Sequence, residues 1–126
     1  MLLDTQVLLW ISDENPRLGV HAGRRIRASN AIFFSSLSLV EIAIKQMNGK
    51  LDAPVDLGDR LSQLGLTALA FQARHAVAID SFPELSHHDP FDRMLVAQAA
   101  SERMAFLTAD RRLLGLELDW IIDARE

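Results

Sequence analysis

Five carboxylates stand in this chain where apolar surroundings would not call for them. Asp4 directly follows the apolar start "MLL", and Asp110 directly follows "MAFLTA". Glu41 is embedded in "LSLVEIAIKQM", while Asp89 and Asp92 open the apolar stretch in "HHDPFDRMLVAQA". On a helix, Asp92 shares a face with Val96 and Ala99, which turns it toward the protein rather than only toward water. Two carboxylates about 4 Å apart repel by about 4 kcal/mol at an effective dielectric near ~20. A whole domain is stable by only about 5–15 kcal/mol. Should these acids converge, protons or a cation must hold them together. An all-oxygen, mainly carboxylate donor set suits Mg²⁺ or Mn²⁺, hard ions that also grip phosphate oxygens.

Each acid also has a plainer reading. Ser38-x-x-Glu41 matches a capping box. Asp89 before Pro90 matches an N-cap with proline at the first helical position, and Asp92 then falls where negative charge favours the helix dipole. Asp110 could cap a short helix starting at Arg111, and Asp4 one starting at Thr5. Cap and ligand are compatible roles, because a carboxylate has two oxygens.

The elements that would bring these acids together are legible as apolar runs alternating with helical patterns. Strands are expected at 1–3, 31–34, 66–70 and 104–109, with a fifth at 118–122. Helices are expected at 5–12, 21–29, 38–49, 55–65 and 72–82, followed by a loop at 84–88 and a helix from Pro90. Strands separated by helices need crossovers, so the fold class is α/β, with a mainly parallel sheet of four or five strands and helices on both faces. Ligands in such sheets bind beyond the carboxyl ends of the strands, where Asp4 and Asp110 fall.

With 126 residues, 49% of them hydrophobic and 24% charged, the chain reads as one globular domain over residues 1–126. The absence of cysteine rules out disulfides and cysteine-held zinc. "MLLDTQ" lacks a basic leader and "VLLWI" is too short to span a bilayer, so a cytoplasmic protein with no membrane partner is expected. The net charge of −4 speaks against a polyanionic partner only at face value. Setting the five acids aside leaves 12 acidic residues against 13 basic ones, a nearly neutral remaining surface.

The blocks "MLLDTQVLLW", "SSLSLVEIAIKQMNGKL", "HHDPFDRMLVAQA" and "FLTADRRL", in this order, resemble the PIN-domain ribonucleases. The resemblance is strongest to the toxin half of bacterial VapBC-type toxin–antitoxin pairs, and it spans nearly the whole chain. It implies a PIN-like three-layer fold and a metal-dependent endoribonuclease that uses water to cut RNA and leaves a 5′-phosphate. By that resemblance Asp4, Glu41, Asp92 and Asp110 are the catalytic acids. Asp4, Asp92 and Asp110 would hold Mg²⁺, with Mn²⁺ as substitute, and Thr5 would support Asp4. Glu41 would orient or deprotonate the attacking water or help bind a second ion, and Asp89 would reach metal through water. The implied partners are RNA, a VapB-like antitoxin that inserts a basic side chain into the acidic pocket, and a second copy in a homodimer.

Other residues divide between bland and functional readings. His87 and His88 are expected to order a surface loop rather than bind metal, and His21 and His75 to lie on helix surfaces. Arg93, Arg111 and Arg112 border the acids and either meet phosphates or are simply solvated. Lys45 is placed to pair with Glu41 one turn earlier or to meet RNA at the pocket rim. Trp10, with Leu8, Leu9 and Ile11, is core or interface. Two competing functions remain open at this level. A receiver or phosphatase-like domain also clusters acids at strand ends, but "LLDTQV" lacks the Asp-x-Asp pair that such chemistry uses. A non-catalytic partner-binding domain would use the acids only as caps.

Overall fold

Strand formers and their alternation decide the centre of the molecule. A computed structural model, describing residues 1–126, contains five short strands: β1 (Leu2–Leu3), β2 (Phe33–Ser35), β3 (Thr67–Leu69), β4 (Phe106–Thr108) and β5 (Ile121–Asp123). They form one sheet in the order β3-β2-β1-β4-β5, and every neighbouring pair is parallel. The register lines up Leu2 with Phe33 and Phe106, and Phe106 with Ile121. One step along, Leu3 aligns with Phe34 and Leu107, and Leu107 with Ile122. Because side chains alternate across a strand, the two rows face opposite sides of the sheet.

Each row nucleates its own apolar layer. Leu3, Phe34 and Leu107 pack with Val7, Leu8 and Trp10 of α1 (Thr5–Ser12), Ala22 of α2 (Val20–Ala28), Ile42 of α3 (Ser36–Met47) and Leu57 and Leu61 of α4 (Leu57–Gln63). Leu2 and Phe106 pack with Leu95, Val96 and Ala99 of α6 (Pro90–Ser101), Leu113 of α7 (Arg111–Leu114) and Leu85. The remaining helix, α5 (Ala73–Val77), lies against α6. Trp10, Leu8 and Val7 are therefore core, and the apolar side chains left exposed are elsewhere, at Val40, Ile44 and Met47 of α3 among others.

Three expectations are corrected. The helix expected over 72–82 is α only through Val77, then 3₁₀ over Ala78–Ser81, and a second 3₁₀ turn, Pro83–Leu85, occupies part of the expected loop. Pro83 explains the stop: Phe82 is held at φ −125° and ψ 64°, outside the helical region that a following proline disfavours. His75, expected at the surface, is fully buried. Its Nδ1 accepts from the Gln72 N–H at 2.9 Å, so its Nε2 carries the proton and donates to Glu102 Oε1 at 2.7 Å, an oxygen that Arg74 also holds. Finally, α3 starts two residues earlier than expected. Ser35 is its N-cap, accepting from the Leu37 N–H, so Glu41 lies past the first turn and the Ser38–Glu41 capping box does not form. The expected stops hold: Gly49 and Gly65 follow the ends of α3 and α4 at φ 68° and 88°, where a side chain is strained.

The last residues of the chain are fastened to the start of α2. The Gly19 N–H donates to the Ala124 carbonyl and the Ala22 N–H to the Glu126 backbone oxygen, both at 2.8 Å. Gly19 has an ordinary extended φ of −66°, so backbone freedom is not why glycine is needed. Space is the reason, since a Cβ there would lie 2.1 Å from the Glu126 oxygen. We expect Gly19→Ala to lower stability by about 1–3 kcal/mol, the usual range for overpacking. A thermal melt would check this, and an unchanged midpoint would show that the terminal segment is not seated there.

Candidate metal centre

The strand order places the reversal of connectivity between β1 and β4, and in open parallel sheets the crevice forms at the carboxyl ends beside such a point. Asp4 follows β1 and Asp110 follows β4, one on each side of that crevice. Glu41 enters from α3, and Asp89 and Asp92 from the start of α6. All five acids line one pocket of about 500 Å³, together with Thr5, Gln6, Lys45 and Lys50.

Within that pocket the acids are held differently. Asp4 is 5% exposed and stands at the N-cap position of α1, yet its side chain caps nothing. Instead its Oδ2 accepts from the Thr108 hydroxyl at 2.5 Å, and Thr108 Oγ1 accepts from the Asp110 N–H at 3.0 Å. Thr108 thus ties together the two acids at the switch point. The local sequence does not single out Thr108, because its role depends on β1 and β4 being neighbours. Thr5 does not support Asp4 through its hydroxyl, which donates to Ser38 Oγ at 3.0 Å and so pins α1 to α3.

Glu41 is 4% exposed; Oε2 accepts from Lys45 Nζ at 2.7 Å, and the buried Oε1 has no partner. The lysine ammonium is raised above its usual value, first by this hydrogen bond and further by the charges of Asp89 and Asp92. Asp89 and Asp110 both cap. Asp89 Oδ1 accepts from the Phe91 and Asp92 N–H groups at 2.9 and 3.3 Å, and Asp110 Oδ1 from those of Arg112 and Leu113 at 2.7 and 3.2 Å. Asp110 Oδ2 is free of the cap, as the two-oxygen argument anticipated.

His88 departs from the expectation of a surface histidine. Its side chain is 7% exposed, and its Nε2 lies 3.0 Å from Asp92 Oδ2 and 3.5 Å from Asp110 Oδ2. These distances suit an ion pair, but neither contact is aligned as a hydrogen bond, so the buried Nε2 has no such partner. His88, Asp92 and Asp110 each offer one donor atom within 4.8 Å of the others. Asp4 and Glu41 line the pocket but fall outside this tight group of three, whose His88 lies outside the pocket's lining. His87 is exposed, as are Arg111 and Arg112, whereas Arg93 is half-buried with an unpartnered Nε.

Electrostatics mark the pocket as short of positive charge. Burial pushes the Asp4 carboxyl up from 3.8 to about 6, against the pull of Thr108, and Glu41 and Asp110 add repulsion. Asp92 is pushed up to about 8, first by burial and then by the charges of Asp4, Asp89, Asp110 and Glu41. By contrast Asp123, also at this edge of the sheet, is lowered by the Arg125 guanidinium that grips it. A hard divalent cation fits what is present: clustered carboxylates, an orphaned Glu41 oxygen and an orphaned His88 nitrogen.

The sign of the pH effect follows. Both raised carboxyls bind protons in the folded protein that the unfolded chain releases above about pH 4. Their stabilising contribution is complete below pH 4 and is lost as pH rises through about 6 and about 8. We therefore expect the melting temperature in EDTA to be lower at pH 8.5 than at pH 5, a difference that Asp92→Asn shrinks (both pH values straddle about 8). A flat profile in metal-free protein would show that Asp92 ionises freely.

Known proteins can now be set beside this geometry. The sequence profile of the PIN domain matches residues 1–117. Ribonuclease VapC22 of Mycobacterium tuberculosis is 32% identical over 121 residues, covering 90% of this chain and 88% of that protein. Among solved structures, VapBC2 from Rickettsia felis, bound to a DNA fragment from its promoter, superposes with a TM-score of 0.66 at 17% identity, covering 97% of this chain and 95% of that one. DNA-bound VapBC from Salmonella typhimurium gives 0.62 at 20% identity, covering 97% and 94%. The sheet, the crevice and the match along most of the chain agree: this protein belongs to the PIN domain family.

Proposed function

We propose that this protein is a metal-dependent endoribonuclease, a single nuclease domain over residues 1–126 that acts as the toxin of a VapBC-type pair. The observation that carries the reading is the convergence of Asp4, Glu41, Asp92 and Asp110 from four separate elements on the crevice between β1 and β4. The raised carboxyls of Asp4 and Asp92 add weight, because caps alone give no reason to crowd negative charge in one place. The ribonuclease named above is a relative along nearly its whole length.

In this reading Asp4, Asp92 and Asp110 hold Mg²⁺, or Mn²⁺ in its place, and Asp89 reaches it through water. When bound, the cation supplies a more acidic water and neutralises charge that develops on the phosphate. The chain's own groups do the rest. Thr108 keeps one Asp4 oxygen occupied, so the carboxylate presents a fixed face to the pocket. Glu41 offers its unpartnered Oε1 to the attacking water, orienting it and accepting its proton. The water oxygen bonds to phosphorus as the bond to the 3′ oxygen breaks; the departing oxygen takes a proton from solvent, leaving a 3′-hydroxyl and a 5′-phosphate. Lys45 and Lys50 line the pocket and provide positive charge for the RNA backbone, while Arg93, Arg111 and Arg112 adjoin Asp92 and Asp110 in sequence only.

An antitoxin is the natural partner, with a basic side chain that enters the acidic pocket where the cation would sit. The structural relatives above are solved as toxin–antitoxin complexes. Val40, Ile44 and Met47 of α3 leave an exposed apolar stripe at helical spacing, 47%, 44% and 86% accessible, suited to that partner or to a second copy in a homodimer. The site of action is the cytoplasm, and no helix is long and apolar enough to cross a membrane.

Cleavage of total bacterial RNA by the purified protein tests the reading. Fragments should require Mg²⁺ or Mn²⁺, carry 5′-phosphates and disappear with EDTA. Asp4→Asn and Asp92→Asn should each cost about 100-fold or more, the scale for removing an electrostatic stabiliser of a transition state. An active preparation that ignores EDTA, or folded Asp4→Asn with full activity, would overturn it. Stoichiometric cognate antitoxin should abolish cleavage, and a bound complex that still cuts RNA would defeat the proposed mode of inhibition.

A further inference from the structure

The four acids account for an all-oxygen site, but they leave one buried group without a task. His88 lines the neighbouring cleft with Leu85 and Arg112 rather than the acidic pocket, and the chain that precedes α6 brings its ring against Asp92 and Asp110 from that side. The 3₁₀ turn at Pro83–Leu85 folds the segment back, and the His88 N–H donates to the Leu85 carbonyl at 2.9 Å. The side chain is thereby 93% removed from solvent, at 7% exposure, and aimed at Asp92 and Asp110. A histidine recruited merely to pair with a carboxylate should align an N–H with one oxygen. His88 does not: its Nε2 stands 3.0 and 3.5 Å from two carboxylate oxygens and is aligned with neither.

The 3.0 Å spacing to Asp92 is the one expected between neighbouring ligands of one small cation, and the 3.5 Å spacing to Asp110 is a few tenths of an ångström wider. Ligands about 2.1 Å from an octahedrally bound ion lie about 3.0 Å from each other. The Asp92 oxygen has no cap to serve, and Asp110 spends its other oxygen on α7, so both Oδ2 atoms are available on the side where Nε2 stands. We propose that His88 Nε2 is a direct ligand of the cation held by Asp92 and Asp110, making the centre a mixed nitrogen–oxygen site. The inference rests on the reading of the pocket as a cation site and adds a residue and a preference to it. Imidazole nitrogen is a better donor to transition metals than to Mg²⁺, so His88 tilts this centre toward Mn²⁺ and its later neighbours in the first row.

Mn²⁺ itself is the probe. Titration followed by electron paramagnetic resonance measures binding, and spin-echo envelope modulation of the bound ion detects a directly coordinated nitrogen. Wild-type protein should show a nitrogen coupling that changes on labelling histidine with ¹⁵N, survives His87→Gln and is lost in His88→Gln. The His88→Gln protein should bind Mn²⁺ on the order of 10-fold more weakly, with Mg²⁺ affinity changed by less than about 3-fold. Because the wild-type spectrum needs no variant, a misfolded substitution would leave the test intact. Mn²⁺ that binds without nitrogen coupling would overturn the role of His88 and leave the acidic site standing. Failure of Mn²⁺ to bind at all would overturn both.

Discussion

Carboxylates gathered at one edge of a parallel sheet repel one another, and the rest of this molecule is arranged around that repulsion. Burial makes it worse, because Asp4 and Glu41 are almost fully removed from water. The protein relieves it by several modest means at once. The Thr108 hydroxyl donates to Asp4, Lys45 neutralises one Glu41 oxygen, and backbone N–H groups at helix N-termini donate to one oxygen each of Asp89 and Asp110. What these contacts leave over appears as reluctance of Asp4 and Asp92 to ionise. Asp123 shows the alternative, since the Arg125 guanidinium in direct contact lowers its carboxyl below the usual value.

Capping and ligation, posed at first as rivals, turn out to be one device. Asp110 Oδ1 is fixed by two backbone N–H groups, so the orientation of the whole carboxylate is fixed and Oδ2 is held toward the crevice. Asp89 does the same for the start of α6, setting where Asp92 projects. Rigid elements therefore aim the acids, while the helix dipoles at the same ends lower the cost of their charge.

Sheet and acids were legible in the sequence because both follow short-range rules. The short apolar runs "MLL", "AIFF" and "MAFLTA" identified the strands, crossovers fixed their parallel sense, and strand ends then named Asp4 and Asp110. The misses share a cause, which is that tertiary contacts decided them. His75 is interior because α5 packs on α6, a contact no local pattern records. The capping box at Ser38 was a sound local motif overridden when Ser35 capped the helix first. His88 lies in the expected loop, but its burial against Asp92 and Asp110 is a tertiary contact that only its spacing of four residues from Asp92 hinted at. Thr108 needed knowledge that β1 and β4 are neighbours.

That neighbour relation has a consequence in time. β1 is the middle strand of the sheet, yet its partner β4 comes 104 residues after it in the Asp4–Thr108 contact. During synthesis the chain emerges from its beginning, and long-range parallel pairing waits on loop closure. Leu2 and Leu3 can pair on one side with β2 early, but their other edge stays open until β4 has been made. The acidic crevice therefore does not exist on a nascent chain. The two halves of the pocket can meet only once β4 and Asp110 have left the ribosome, more than a hundred residues after β1.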